Sequence, residues 1–306
     1  MMDDEKTATP TTLVMGPVMF HWTPDDWRDF YFRVADEADV DVVCVGEVVC
    51  SKRSPFIAAH LPEVIERLRA ADKQVILSTL ALIMNSREMQ SVRDAAAIDD
   101  PGILIEANDI SAAALLRGRP HTIGPFVNVY NEATLAYLAA NGATSVCLPV
   151  EMSLQALAAL AKDSPAALEV LVFGRLPLAI SARCYHARAH GLHKDGCQYV
   201  CAEDPDGLAV ETLDGEPFLA VNGVQTLSHA YADLSGWLSE LLDHGIRRLR
   251  LSPHAGIDMV MVAETFRSLA DGTIEPAEAH ARIAAGLGDA AFCNGYISDD
   301  VGCAYG

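Results

Sequence analysis

Three cysteines crowd one irregular stretch, Cys184-Tyr-His-Ala-Arg-Ala-His-Gly-Leu-His-Lys-Asp-Gly-Cys197-Gln-Tyr-Val-Cys201. Cysteines kept for packing usually stand alone inside apolar strands. Three on a segment with weak core periodicity point instead to thiolate ligation of a metal, and such a site needs a fourth ligand. Cys44 in Val-Val-Cys-Val and Cys147 in Ser-Val-Cys-Leu-Pro read as small buried hydrophobes. Cys50 differs, because it follows a strand end in Glu47-Val-Val-Cys50-Ser-Lys-Arg, where Lys52 and Arg53 would help hold a thiolate ionised. Cys50, Cys184, Cys197 and Cys201 are therefore the candidate ligands.

Two kinds of centre suit such a set. Iron–sulfur clusters take thiolates from distant segments. Structural zinc prefers CxxC pairs in one compact knuckle and accepts histidine. Here the closest pair is a CxxxC and the fourth ligand lies far upstream, which favours a cluster. His186, His190 and His193 keep zinc open, although the loop carrying them reads as solvated.

The elements that must position these residues alternate β-branched runs with amphipathic helical stretches. Strands are expected at 12–20, 41–46, 74–78, 102–105, 121–127, 145–150, 168–173 and 247–251. Thr23 before Pro24, Asn131 and Ser153 stand as helix caps, and Gly142 follows Asn141 as a stop. Repeated strand–helix units imply a parallel sheet, and no GxGxxG turn supports a doubly wound nucleotide fold. The expected fold is a single TIM-like (β/α)8 barrel over 12–306, after a disordered tail at 1–11. A cysteine-bearing insertion at about 174–246 interrupts it between strands seven and eight. Strands two and seven are not neighbours in such a barrel. For Cys50 to meet the other thiols, the insertion must fold across the mouth.

Polar residues at the carboxyl ends of the strands, where barrel active sites are built, are Glu47, Thr79, Glu106, Asn108, Asn128, Glu151 and Ser252. Of these, Glu47, Glu106, Asn128 and Glu151 are candidates for a substrate rim. The chain has a formal net charge of −20, which makes nucleic acid and bare membrane poor partners. A bound anion would need local cations. Arg183, with Lys52 and Arg53, is the candidate for tuning a cluster, its alternative being a structural pair with Glu47. No apolar run reaches the length of a membrane helix, and the acidic N-terminus lacks the apolar core of a signal peptide. A cytoplasmic protein is expected, with its thiols reduced.

Gly46-Glu47-Val48-Val49-Cys50-Ser51-Lys52-Arg53 and Leu176-Pro177-Leu178-Ala179-Ile180-Ser181-Ala182-Arg183-Cys184 resemble motifs of the collagenase-like peptidase superfamily, and in particular its UbiV branch. Ile105-Glu106-Ala107-Asn108-Asp109, Leu148-Pro149-Val150-Glu151, Asn222-Gly223-Val224-Gln225-Thr226, Leu249-Arg250-Leu251-Ser252-Pro253 and Cys293-Asn294-Gly295-Tyr296 extend the resemblance along nearly the whole chain. The resemblance implies that Cys50, Cys184, Cys197 and Cys201 hold a 4Fe-4S cluster. It further implies a heterodimer with a UbiU homologue, assisted by the lipid-carrier protein UbiT. That complex would hydroxylate the aromatic ring of ubiquinone precursors without dioxygen, in anaerobic growth, with prephenate as the hydroxyl donor. Peptidase chemistry is not expected, since neither GxSxG nor HExxH occurs. Two other readings stand beside this one: an electron-relay or structural partner whose UbiU homologue carries the active site, and a zinc-stabilised barrel of other activity.

Overall fold

Short β-branched runs buried on both faces are what a parallel sheet wrapped by helices requires. Val42–Val45, with all four residues buried, is such a run. The structure, a computed structural model, describes residues 10–305; residues 1–9 of the expected tail lie outside them. Its strands are β1 (Thr12–Met15), β2 (Val42–Val45), β3 (Gln74–Ser78), β4 (Ile103–Ala107), β5 (His121–Ile123), β6 (Ala143–Cys147), β7 (Ala167–Ile180), β8 (Leu208–Glu211), β9 (Pro217–Asn222), β10 (Gln225–Asp233), β11 (Arg248–Leu251) and β12 (Phe292–Cys293). Strands β1 to β7 pair in sequence and in parallel. Strand β11 pairs in parallel with both β7 and β1, closing the eight-stranded barrel expected from the sequence.

Helices cover the outside. Trp27, Tyr31, Leu68 and Phe266 pack with the outward side chains of the strands, among them Leu13, Val43, Val75 and Ile105, in the main core. Val14, Val42, Cys44 and Ile76, on the opposite face, cluster inside the barrel. The expected caps form: Thr23 Oγ1, Asn131 Oδ1 and Ser153 Oγ accept from the N–H groups of Asp26, Thr134 and Ala156.

Several strands stop earlier than expected, each for a visible reason. β1 ends before Gly16-Pro17, and β5 before Pro125, which opens a short 3-10 turn, Pro125–Val127. β7, in contrast, runs seven residues past the expected end at Phe173. It leaves the barrel at Gly174, whose φ of +121° suits glycine, and a Cβ there would lie 2.6 Å from Ser252 Cβ. Beyond that point β7 pairs antiparallel with β10, and β9 and β8 extend this upper sheet antiparallel. The chain from Ser181 to Gly207, which carries Cys184, Cys197 and Cys201, lies between β7 and β8.

Candidate metal centre

Cys50 is placed by Glu47. The carboxylate Oε1 of Glu47 accepts from the backbone N–H of Val49 (2.8 Å) and of Cys50 (2.9 Å), folding the chain back after β2. Oε1 of Glu47 thus shapes its own loop, and the residue also lines a cavity of about 180 Å³ with Ser54, Ser78 and Thr79. Burial pushes its carboxyl pKa up, against the pull of Arg53. Cys184 begins the short helix Tyr185–Ala189, and its Sγ accepts from Ala187 N–H at 3.4 Å. Cys50 and Cys184 pack on one small apolar cluster, Met19, Val49 and Val224, together with Phe126 and Ile180. The segments that follow β2 and β7 thus meet in one cluster.

Arg53 holds this assembly together. It is only 2% exposed. Nη1 donates to Met19 O and Nη2 to Asn222 Oδ1, both at 2.8 Å. Asn222 Nδ2 in turn donates to Met19 O at 2.8 Å and to Gln225 Oε1 at 3.1 Å. The turn between β9 and β10 closes on the guanidinium at Gly223, where a Cβ would lie 2.7 Å from Nη2. Burial pushes the Cys50 and Cys201 thiols up, and in both the charge of Arg53 pulls the other way. Cys201 also feels Cys184 and Cys197.

These residues fit a cluster anion. The guanidinium of Arg53 is buried beside the Cys201 thiol with no carboxylate hydrogen-bonded to it among the described residues, and a buried cation without an anionic partner is costly. Four cysteinyl ligands on a cubane give a centre of net negative charge beside it. Among the described residues, no three His, Cys, Asp or Glu side chains converge on the position of a single ion. A 4Fe-4S cluster does not ask for that convergence, since each thiolate takes its own iron.

The other expected site residues divide. Glu106 is not on the rim. It lies one residue before the end of β4 and alternates inward, opposite to Ile105, so it is 0% exposed inside the barrel. There Arg250 donates to both Glu106 and Glu169, and Ser78 Oγ donates to Glu106 Oε2 at 2.7 Å. Thr79 and Asn108 are buried and hydrogen-bond to each other and to Glu106. Asn128 and Glu151 do reach the mouth, lining a cavity of about 260 Å³ with Phe126, Pro177 and Ile180; Tyr130 OH donates to Glu151. Arg183 is exposed and makes no ion pair among the described residues, so the expected alternative pair with Glu47 does not form. It lines a cavity of about 430 Å³ with Cys184, Arg188, His193 and Lys194.

His186 departs from the solvated loop expected of the histidines. It is 0% exposed, with Nδ1 3.1 Å from Val221 O and Nε2 2.9 Å from Asp204 Oδ2. A second clamp holds the cysteine segment to the barrel. Asp206 accepts from His254 Nδ1 (2.6 Å), from Arg175 Nε (3.0 Å) and from Tyr231 OH. Burial raises the Asp206 carboxyl, but His254, Arg175 and Tyr231 outweigh it and hold the pKa below the usual range.

A cavity of about 600 Å³, lined by His21, Trp22, Phe30, Phe56, Pro205 and Ile257, lies outside every expected site residue. His21 stood directly after the expected end of the first strand at residue 20, whereas β1 ends at Met15 and His21 lies on the loop that follows it.

A closed, parallel eight-stranded barrel wrapped by helices defines the fold class of the protein. The chain belongs to peptidase family U32, whose family model matches residues 27–297. Among solved structures it is similar to a DAHP synthase from Thermotoga maritima, at 10% identity over 90% of this chain and 70% of that one, with a TM-score of 0.44. It is also similar to a tryptophan synthase complex from Pyrococcus furiosus, at 12% identity over 90% of this chain and 97% of that one, with a TM-score of 0.41.

Proposed function

We propose that this chain is the 4Fe-4S subunit of a heterodimer, paired with a UbiU homologue, that hydroxylates the ring of ubiquinone precursors without dioxygen. The observation that carries the reading is Arg53: a buried guanidinium set against Cys50 and Cys201, its charge and its contact with Cys201 both favouring the thiolate form. Cys50, Cys184, Cys197 and Cys201 would hold the cluster, which supplies one-electron chemistry when bound.

The chain's own residues have separable tasks. Arg53 neutralises the thiolates and, through Asn222 and Met19, fixes the loop after β1 to the upper sheet. Val49, Val224 and Met19 form an apolar floor under Cys50 and Cys184, which excludes water from that side. Arg183, Arg188 and Lys194, lining one cavity beside Cys184, provide the cationic surface for an anionic hydroxyl donor of prephenate's class. UbiT would deliver the lipid-tailed ring.

The test is reconstitution under nitrogen of both subunits with a ubiquinone precursor, prephenate as the hydroxyl donor and an electron acceptor or donor pair. Ring hydroxylation that needs this chain, survives the absence of dioxygen and fails in the Cys50→Ala variant supports the reading. Full activity with the homologous subunit alone contradicts it.

A further inference from the structure

The 600 Å³ cavity is built from four separate parts of the chain. The loop after β1 gives His21, Trp22 and Thr23. Phe56 comes from the short helix Ser54–Ile57, next to Arg53. Ala202 and Pro205 follow Cys201 directly, and His254 to Ile257 follow β11. Its walls are mainly aromatic and aliphatic. Among the described residues Asp26 is the one carboxylate on the lining, and it accepts from Thr23 Oγ1 at 2.6 Å. No lysine or arginine among the described residues lines the cavity.

His21 is its one polar group without a task. The residue is 7% exposed. Phe56 meets its ring edge-on, with centroids 4.8 Å apart, and Tyr199 lies 5.7 Å away. Neither ring nitrogen has a hydrogen-bond partner among the described residues. His254, by contrast, is committed on both sides: Nδ1 to Asp206 and Nε2 to the N–H of Arg175. Burial, and then the charge of Arg53, lower the pKa of His21 to about 4. A neutral imidazole presents one donor and one acceptor. An aromatic-walled cavity with one such group and no free cation suits an uncharged ring bearing a hydroxyl, and penalises an anion.

We propose that this cavity binds a neutral phenol-type ring, with the unpartnered His21 imidazole hydrogen-bonded to the ring hydroxyl and Phe56 and Trp22 against its faces. The assignment rests on the function proposed above only for the fate of the ring; the binding site itself is a separate claim. Because Ala202 and Pro205 belong to the Cys201 segment, a ring held here sits on the cysteine side of the barrel mouth. His21 acts as a positioning residue.

Calorimetric titration of the full chain, purified anaerobically, tests this with para-butylphenol, para-butylanisole and para-butylbenzoate, with iron counted on the same sample. One phenol per chain is expected, with the benzoate bound at least about tenfold more weakly. His21→Phe keeps the packing and removes the nitrogens. It should weaken phenol binding by about tenfold, the worth of one net hydrogen bond, and leave the anisole nearly unchanged. Phe56→Trp, which fills the cavity, should weaken both and serves where His21→Phe does not fold. Absent phenol binding, equal binding of the benzoate, or an unaltered phenol affinity in both variants overturns the proposal. Iron without phenol binding sinks this site alone; phenol binding without iron sinks only the cluster.

Discussion

The Nη2 atom of Arg53 lies 2.8 Å from Asn222 Oδ1, and that bond ties the loop carrying Cys50 to the hairpin that packs behind Cys184. The contact is closed by Gly223, whose φ is +63°. Gly223→Ala must both adopt a left-handed backbone and push the guanidinium aside. It is expected to cost about 1–3 kcal/mol. Arg53→Leu, which strands the buried Asn222 Oδ1 while Met19 O keeps Asn222 Nδ2, is expected to cost about 1–3 kcal/mol. Denaturant unfolding measures both, and iron bound per chain should fall in both. Normal stability in Gly223→Ala would remove the close approach from the account.

Glu106 serves the barrel, not the substrate. Glu106→Ala leaves Arg250 buried with Glu169 as its remaining carboxylate partner, and is expected to lower stability by on the order of 3 kcal/mol. Adding Arg250→Met in that background should recover part of the loss, because it removes the uncompensated charge. The double-mutant cycle reads this coupling directly. A loss of ring hydroxylation with unchanged stability would instead return Glu106 to the substrate rim.

The clamp on the cysteine segment gives a pH dependence with a definite sign. His254 accepts from Arg175 N–H through Nε2 and donates through Nδ1, so it is held neutral. Burial lowers its pKa below the unfolded value of 6.5, with Asp206 opposing. A lowered histidine pKa contributes stability that is fully present above 6.5 and is lost as pH falls through the folded value. The stability gap between the wild type and His254→Asn should therefore be widest near neutrality and shrink in mild acid. Denaturation midpoints at several pH values check it; a gap that widens in acid contradicts the neutral tautomer.

The barrel was legible because Val42–Val45 and its counterparts are buried on both faces and alternate with capped helices. What stayed hidden depended on single-residue register. Glu106 looks like a strand-end residue in sequence, yet the two-residue alternation of β4 turns it inward. Strand β10, with side chains buried on both faces, lacks the polar alternation that marks an edge strand and went unread. The cation beside Cys50 was visible in Lys52-Arg53, but sequence could not tell which of them, or of Arg183, is sealed in. Burial of Arg53 depends on Asn222 and Met19, far away along the chain.

Single cysteine substitutions separate ligands from packing. Alanine at Cys50, Cys184, Cys197 or Cys201 is expected to remove most bound iron, since each thiolate holds one corner of the cubane. Alanine at Cys44 or Cys147, both buried in strands, should leave iron in place. Either should cost roughly 1 kcal/mol of stability through lost packing. Iron analysis of the six variants, purified under nitrogen, reads the difference. Iron retained in Cys50→Ala would break the link across the barrel mouth.

The account stands on the metal, and counting it is the most direct measurement. The chain is purified under nitrogen, its visible absorption is recorded, and iron, acid-labile sulfide and zinc are determined against protein. About four iron and four sulfide per chain are expected, with the broad thiolate-to-iron absorption of a 4Fe-4S cluster, bleached by dithionite. About one zinc per chain and no sulfide, lost when the same cysteines are replaced, would contradict the cluster.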